Sequence, residues 1–213
     1  PYVRWHEASL VRGVANGTVS AYAWAPLGDI TADQFRALAA IQREFDAGVR
    51  LTNRQNLVFR DLTDDRLPAL FERLDAIGMA AAGAELSRDV VACPGADTCN
   101  LAVTQSRGLA KAIGDKLEEE GLADVGGVRI NISGCTNSCG QHHASDIGFF
   151  GAERRANGRS APGYQMLLGG YVGEEQIHFG EKALRLPDKN AAEGAVRVIR
   201  RFAGERQAGE TFR

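Results

Sequence analysis

Residues 90–102 read VVACPGADTCNLA, and residues 131–151 read NISGCTNSCGQHHASDIGFFG. A short apolar run of the kind that forms a buried strand leads into each: Val90 to Ala92 in the first, and Val128, Ile130 and Ile132 in the second. Each run then breaks into a glycine-bearing loop with two cysteines, Cys93 and Cys99 as C-x5-C, and Cys135 and Cys139 as C-x3-C. Both loops follow strands, so the four sulfurs are expected to gather at one end of a sheet, on a rigid platform.

Four cysteines admit several chemistries. A disulfide framework suits small secreted domains, and nothing in this chain points to secretion. Structural zinc uses tighter pairs in small domains, and C-x5-C inside a large strand-rich unit fits it poorly. Four unrelated buried thiols are a further possibility. An iron-sulfur cluster is favoured, because four thiolates must wrap it on segments whose glycines let the backbone come close and turn amides toward sulfur. Pro94-Gly95, Gly134 and Gly140 stand where that demand falls.

Outward from the cysteines, Leu109, Ile113 and Leu117 mark a helix ending at Gly121, with a solvated acidic end at Glu118–Glu120. Ile147–Phe150 and Tyr164–Leu168 read as strands joined by a polar loop containing Asn157-Gly158. Ala192, Ala195, Val196, Ile199 and Phe202 make a closing helix. Upstream, residues 17–25 alternate as a strand that Pro26 stops. Thr31 and Gln34 then have capping-box spacing before a helical stripe of Phe35, Leu38, Ile41, Gln42 and Phe45. Val49–Leu62 reads as a hairpin or bent strand around a polar bend. Asp65 is expected to cap a second helix, with Pro68 in its first turn, a stripe of Leu70, Phe71, Leu74 and Ile77, and a stop at Gly78. Residues 17–78 thus spell βαββα, half of a ferredoxin-like unit, and the small-residue run 79–84 places a boundary near Glu85. The expected class is α+β, with a ferredoxin-like half domain over 1–85 and an α/β cluster-binding domain over 86–213.

The 213 residues are 44% apolar and 24% charged, the composition of an ordinary globular protein with enough apolar side chains for a core. The formal charge is −2, without the positive field of a nucleic-acid-wrapping protein. No apolar run is long enough to span a membrane and the N-terminus does not read as a signal peptide, so a cytoplasmic home is expected. Pro1 in place of an initiator Met suggests processing or a piece of a longer chain. The twenty-five glycines exceed the usual share of about 7%, and many fall between Gly121 and Gly180.

Three stretches together, LTNRQNLVFR (51–60), VVACPGADTCNLA and NISGCTNSCGQHHASDIGFFG, resemble the sirohaem-containing nitrite and sulfite reductases, and the resemblance spans nearly the whole chain. It implies that residues 1 to about 85 correspond to that family's second ferredoxin-like half domain and the remainder to its cluster-bearing domain. It implies Cys93, Cys99, Cys135 and Cys139 as ligands of a [4Fe-4S] cluster, with Cys139 also on the sirohaem iron as the catalytic link between the two groups. Sirohaem carries many carboxylates, so Arg50, Arg54, Gln55 and Asn56 of the polar bend are candidate contacts, a solvated turn being the plainer alternative. Asn131, Thr136, Asn137 and Ser138 could donate to sulfides or macrocycle, or simply form turns. His142 and His143 are expected to pack or hydrogen-bond in the loop rather than ligate. Lys111, Lys116, Arg107 and Arg129 could dock an acidic donor, although helix surfaces carry such residues routinely.

The activity so implied is six-electron reduction of nitrite to ammonia or sulfite to sulfide, with ferredoxin or an NAD(P)H-linked flavoprotein as donor. Its departure from the family is the lack of the first half, from which most substrate-grasping Arg and Lys residues come. A half sheet also leaves an open edge, so the missing N-terminal half, or a self-dimer, is expected to cover it. The alternatives are a precorrin-3B synthase-like enzyme with the same motif, an electron-transfer module carrying only the cluster, and a zinc-stabilised binding domain.

Overall fold

The computed structural model describes residues 1–13, 17–156, 158–173 and 176–212. The chain forms two compact units, Pro1–Glu85 and Leu86–Arg213.

The first unit begins with a helix, α1 (Tyr2–Ala8), and a short strand, β1 (Leu10–Arg12), neither of which the hydrophobic pattern announces. Strand β2 (Val19–Ala23) buries Val19, Ala21 and Ala23 on alternate positions, as a half-buried strand must. Helix α2 (Ala32–Phe45) starts on the expected capping box: the Gln34 amide donates to Thr31 Oγ1 at 3.2 Å and the Thr31 amide to Gln34 Oε1 at 2.9 Å. Its buried face is Leu38, Ile41 and Phe45, while Phe35, expected in that stripe, is exposed. Strands β3 (Gly48–Leu51) and β4 (Leu57–Leu62) form an antiparallel hairpin in which Leu51 faces Leu57. In β4 an extra residue is accommodated where the register against β2 shifts, and Asp61 takes a positive φ of 62° there.

Helix α3 (Leu67–Asp75) corrects the expectation for Asp65, which caps nothing. A 3-10 turn over Asp64–Arg66, closed by the Arg66 amide on the Thr63 carbonyl, delivers the chain to fully buried Leu67, and the helix begins there. Gly78 ends the segment in the left-handed region, as its position suggests. The sheet order is β1-β2-β4-β3, and Trp5 of α1 sits in the same core, its ring 5.5 Å from that of Phe71.

The second unit holds β5 (Val91–Ala92), α4 (Ser106–Glu119), β6 (Ile130–Ser133), β7 (Ile147–Ala156), β8 (Arg159–Leu168), β9 (Tyr171–Val172), β10 (Ile177–His178), β11 (Glu181–Pro187) and α5 (Asp188–Glu205). Its five-stranded sheet has the order β11-β8-β7-β6-β5, with β5, β6 and β7 parallel and the remaining pairs antiparallel. The β7–β8 hairpin is much longer than the two short apolar runs suggest; of its Asn157-Gly158 turn, Asn157 lies outside the described residues. Ile132, Phe149 and Met166 are neighbours across three strands, and Met166 reaches Gly194 of α5, so this face of the sheet is the one α5 covers. Asn131, Ser133 and Gly148 alternate onto the opposite face.

Candidate functional site: two cysteine loops at adjacent strand ends

Cys93 follows β5 directly, and its amide donates to the Ile132 carbonyl at 3.1 Å, carrying the parallel ladder one residue past the strand. Gly134 stands in the same place after β6, and its amide donates to Cys93 Sγ at 3.2 Å. The two loops are thereby joined backbone to sulfur. The Val103 and Thr104 amides also converge on the Gly134 carbonyl, at 2.8 and 3.2 Å. This packing leaves no room for side chains at the crossing. A Cβ on Gly134 would lie 2.8 Å from the Gly95 Cα, and one on Gly95, whose φ is +62°, would lie 2.3 Å from Ser106 Oγ.

Ser106 opens α4, its hydroxyl donating to the Cys93 carbonyl at 2.6 Å and lying 3.4 Å from Cys93 Sγ. All four cysteines are free thiols; Cys93 and Cys135 are half-buried, Cys99 and Cys139 exposed. Among the described residues no three of His, Cys, Asp and Glu could hold one metal ion together. Each thiolate of a cuboidal cluster binds its own iron, so its ligands stand wider apart than those of a single ion.

The loop from Gly134 to Asp146 folds back over the β6–β7 face opposite α5. A Cβ on Gly140 would lie 2.1 Å from the Ile132 carbonyl, and one on Gly148 would overlap the His142 carbonyl. His142 is fully buried and its Nδ1 lies 2.8 Å from Ser133 Oγ, while His143 stacks beside it with ring centroids 4.2 Å apart. Burial, with a smaller contribution from His143, pulls the His142 pKa down to about 4, so the ring is neutral near pH 7. Of the other expected donors in this loop, Asn137 and Thr136 are exposed, whereas Asn131 reaches the Gly140 carbonyl with Nδ2 at 2.9 Å.

In the first unit the polar bend is a self-bonded turn: Thr52 Oγ1 accepts from the Arg54 and Asn56 amides at 3.3 and 3.1 Å, and Gln55 has a φ of 66°. Its four expected contacts differ in setting. Asn56 is fully buried and its Oδ1 accepts from the Ala25 amide at 3.0 Å; Arg54, 6% exposed, pairs with Glu85 at 3.2 Å. Gln55 is half-buried and Arg50 is exposed, donating to the Val49 carbonyl at 2.8 Å. Of the basic residues weighed for donor docking, three are ion-paired within their own unit, Lys111 with Asp115, Lys116 with Glu193 and Arg107 with Asp97. Ser106 and Ser133, both central here, went unread in the sequence. The signal for each was position: first residue of a helix, and two residues from Asn131 on one strand.

Residues 83–211 match the family described as the nitrite and sulphite reductase 4Fe-4S domain, and residues 14–77 match the nitrite/sulfite reductase ferredoxin-like half domain. The chain belongs to the nitrite and sulfite reductase family. Among its relatives are a ferredoxin–nitrite reductase of Synechococcus elongatus, 38% identical over 75% of this chain and 31% of the relative, and a ferredoxin sulfite reductase of Mycolicibacterium paratuberculosis, 31% identical over 95% and 38%. The solved structure of the Mycobacterium tuberculosis NirA protein superposes with a TM-score of 0.80 at 29% identity, covering 96% of this chain and 39% of that one. A dissimilatory sulfite reductase I shares the fold with a TM-score of 0.70 at 11% identity. The chain therefore spans about a third of the length of the curated relatives it matches. Nitrite and sulfite reductases are oxidoreductases, and membership implies a [4Fe-4S] cluster and sirohaem as the family's prosthetic groups. No described helix is long and apolar enough to cross a membrane.

Proposed function

We propose that this chain is the cluster- and sirohaem-bearing portion of an assimilatory reductase that converts nitrite to ammonia or sulfite to sulfide, with ferredoxin as the electron donor. The reading rests on one observation above the others: two loops with two free thiols each leave adjacent parallel strands and cross so closely that only glycine fits, with an amide of one donating to a sulfur of the other.

When bound, the cluster and sirohaem supply one-electron redox chemistry and an iron at which the oxyanion is reduced. Cys93, Cys99, Cys135 and Cys139 would hold the cluster, and Cys139 would also hold sirohaem. Gly134 and Ser106 hold Cys93 in place, the Gly134 amide donating to its sulfur and the Ser106 hydroxyl to its carbonyl. Exposed Asn137 is a donor toward the macrocycle. In the first unit, the polar bend presents exposed Arg50 and half-buried Gln55 as donors for an anionic group, with Arg54 paired to Glu85 and Asn56 holding the bend in shape through Ala25.

An anionic substrate needs several cations around it as its bonds to oxygen break. The remainder of the family's length, or a second copy of this chain, completes that cage. Strands β1 and β3 each have one neighbour among the described residues and carry exposed Val11 and Leu51, which suits pairing with further sheet. A single species of monomer mass in sedimentation of the isolated chain would remove the self-dimer from this reading.

Iron and acid-labile sulfide analysis with an absorption spectrum of anaerobically purified protein tests the assignment. The expected result is both elements together with macrocycle bands and a broad cluster shoulder. Zinc in place of iron, or neither, overturns it.

A further inference from the structure

Gly140, the residue after Cys139, has both of its polar backbone groups held by side chains of one strand. Its amide donates to Ser133 Oγ at 3.0 Å, and its carbonyl accepts from Asn131 Nδ2 at 2.9 Å. Asn131 and Ser133 are two apart on β6 and so share a face. Between them Gly140 lies flat on the strand, where any Cβ would meet the Ile132 carbonyl.

Ser133 is itself fixed. Its oxygen accepts from the Gly140 amide and hydrogen-bonds His142 Nδ1, 2.8 Å away. That links the Gly140 amide, Ser133 Oγ and His142 Nδ1 in one hydrogen-bonded chain. The whole chain is buried, His142 fully and Ser133 at 1% exposure. A buried polar network of this kind is costly unless it fixes something.

We propose that Asn131, Ser133 and His142 are positioning residues for Cys139, clamping the end of its loop so that the thiolate meets the prosthetic groups in one geometry. This rests on the reading of Cys139 as a ligand. The three side chains act through Gly140 and need touch neither group. A loosened loop lets amides and water reach the sulfurs, and both favour the more negative, reduced cluster. Loss of the clamp therefore raises the cluster's midpoint potential.

The experiment is a redox titration followed by electron paramagnetic resonance on anaerobically purified holoprotein, comparing wild type with Ser133→Ala, His142→Leu and His142→Asn. Asparagine keeps an acceptor close to the position of Nδ1, and leucine does not. The expected result is an upward shift of potential with a broadened signal in Ser133→Ala and His142→Leu, and near wild-type values in His142→Asn. Should Ser133→Ala not accumulate as folded protein, the two His142 variants carry the comparison alone. Unchanged potential and line shape in the variants, with lower thermal stability, would show packing alone and overturn the clamp. Wild-type protein without iron and sulfide would instead overturn the reading of the site itself.

Discussion

A buried histidine ties this site to pH. His142 is held near a pKa of about 4 by burial and by neighbouring His143, against about 6.5 in an unfolded chain. The unfolded state then binds the extra proton first, so stability is full above about pH 6.5 and declines as pH falls toward 4, by a few kcal/mol at most. His142→Asn has no such proton to take up. Denaturant unfolding between pH 7 and 4 should show a shallower acid decline in the variant than in the wild type; equal slopes would mean the ring is not neutral in the folded protein. A second expectation concerns the glycine beneath Cys139. The methyl of Gly140→Ala would sit 2.1 Å from the Ile132 carbonyl, a backbone atom that cannot swing aside. The cost is about 1–3 kcal/mol, and the iron content of purified protein should fall with it. A variant with full iron and unchanged melting would show that the loop end is free to move.

Elements differ in how they earn their stability, and this decides which of them the sequence reveals. Helix α2 carries its start signal locally, since Thr31 and Gln34 satisfy each other's amides, and Thr31→Ala should cost about 1 kcal/mol in thermal or denaturant unfolding. Helix α1 has no side-chain cap, spans seven residues, and owes its place to Trp5, which is fully buried against Phe71 and the sheet. Trp5→Ala should cost about 3–5 kcal/mol, several times the loss at Thr31, and the reverse order would contradict a helix held by tertiary burial. Such helices are silent in a hydrophobic pattern, because isolated short helices are marginal. The same holds for β1, three residues long, and for β11, an edge strand whose exposed face shows no alternation. The βαββα order, the hairpin over 49–62 and both cysteine-bearing strand ends were legible because each has a local signal: a period, a cap or a turn. The clamp on Gly140 was not, since it joins side chains on β6 to a loop that folds back across the sheet, and no local pattern encodes that return.

At the scale of the whole molecule, each unit has its own core. Trp5, Phe59 and Leu70 belong to the first, while Ile113, Ile130 and Phe149 lie within the second. All four thiols lie in the second unit, so whatever they bind stabilises that unit by mass action. Removal of iron by a chelator should then act unevenly. Hydrogen exchange should show lost protection across 93–104 and 134–146, where amides converge on Gly134 and Ser133, while the amides of β2 and β4 keep theirs. The amide of Gly134 is the sharpest reporter, because its acceptor is a cysteine sulfur. With the cluster gone, that sulfur loses the metal that fixes it, so the bond is free to loosen. Equal losses in both units would mean that their stability is shared, and retained protection at Gly134 would mean that the loop crossing is complete without its inorganic core.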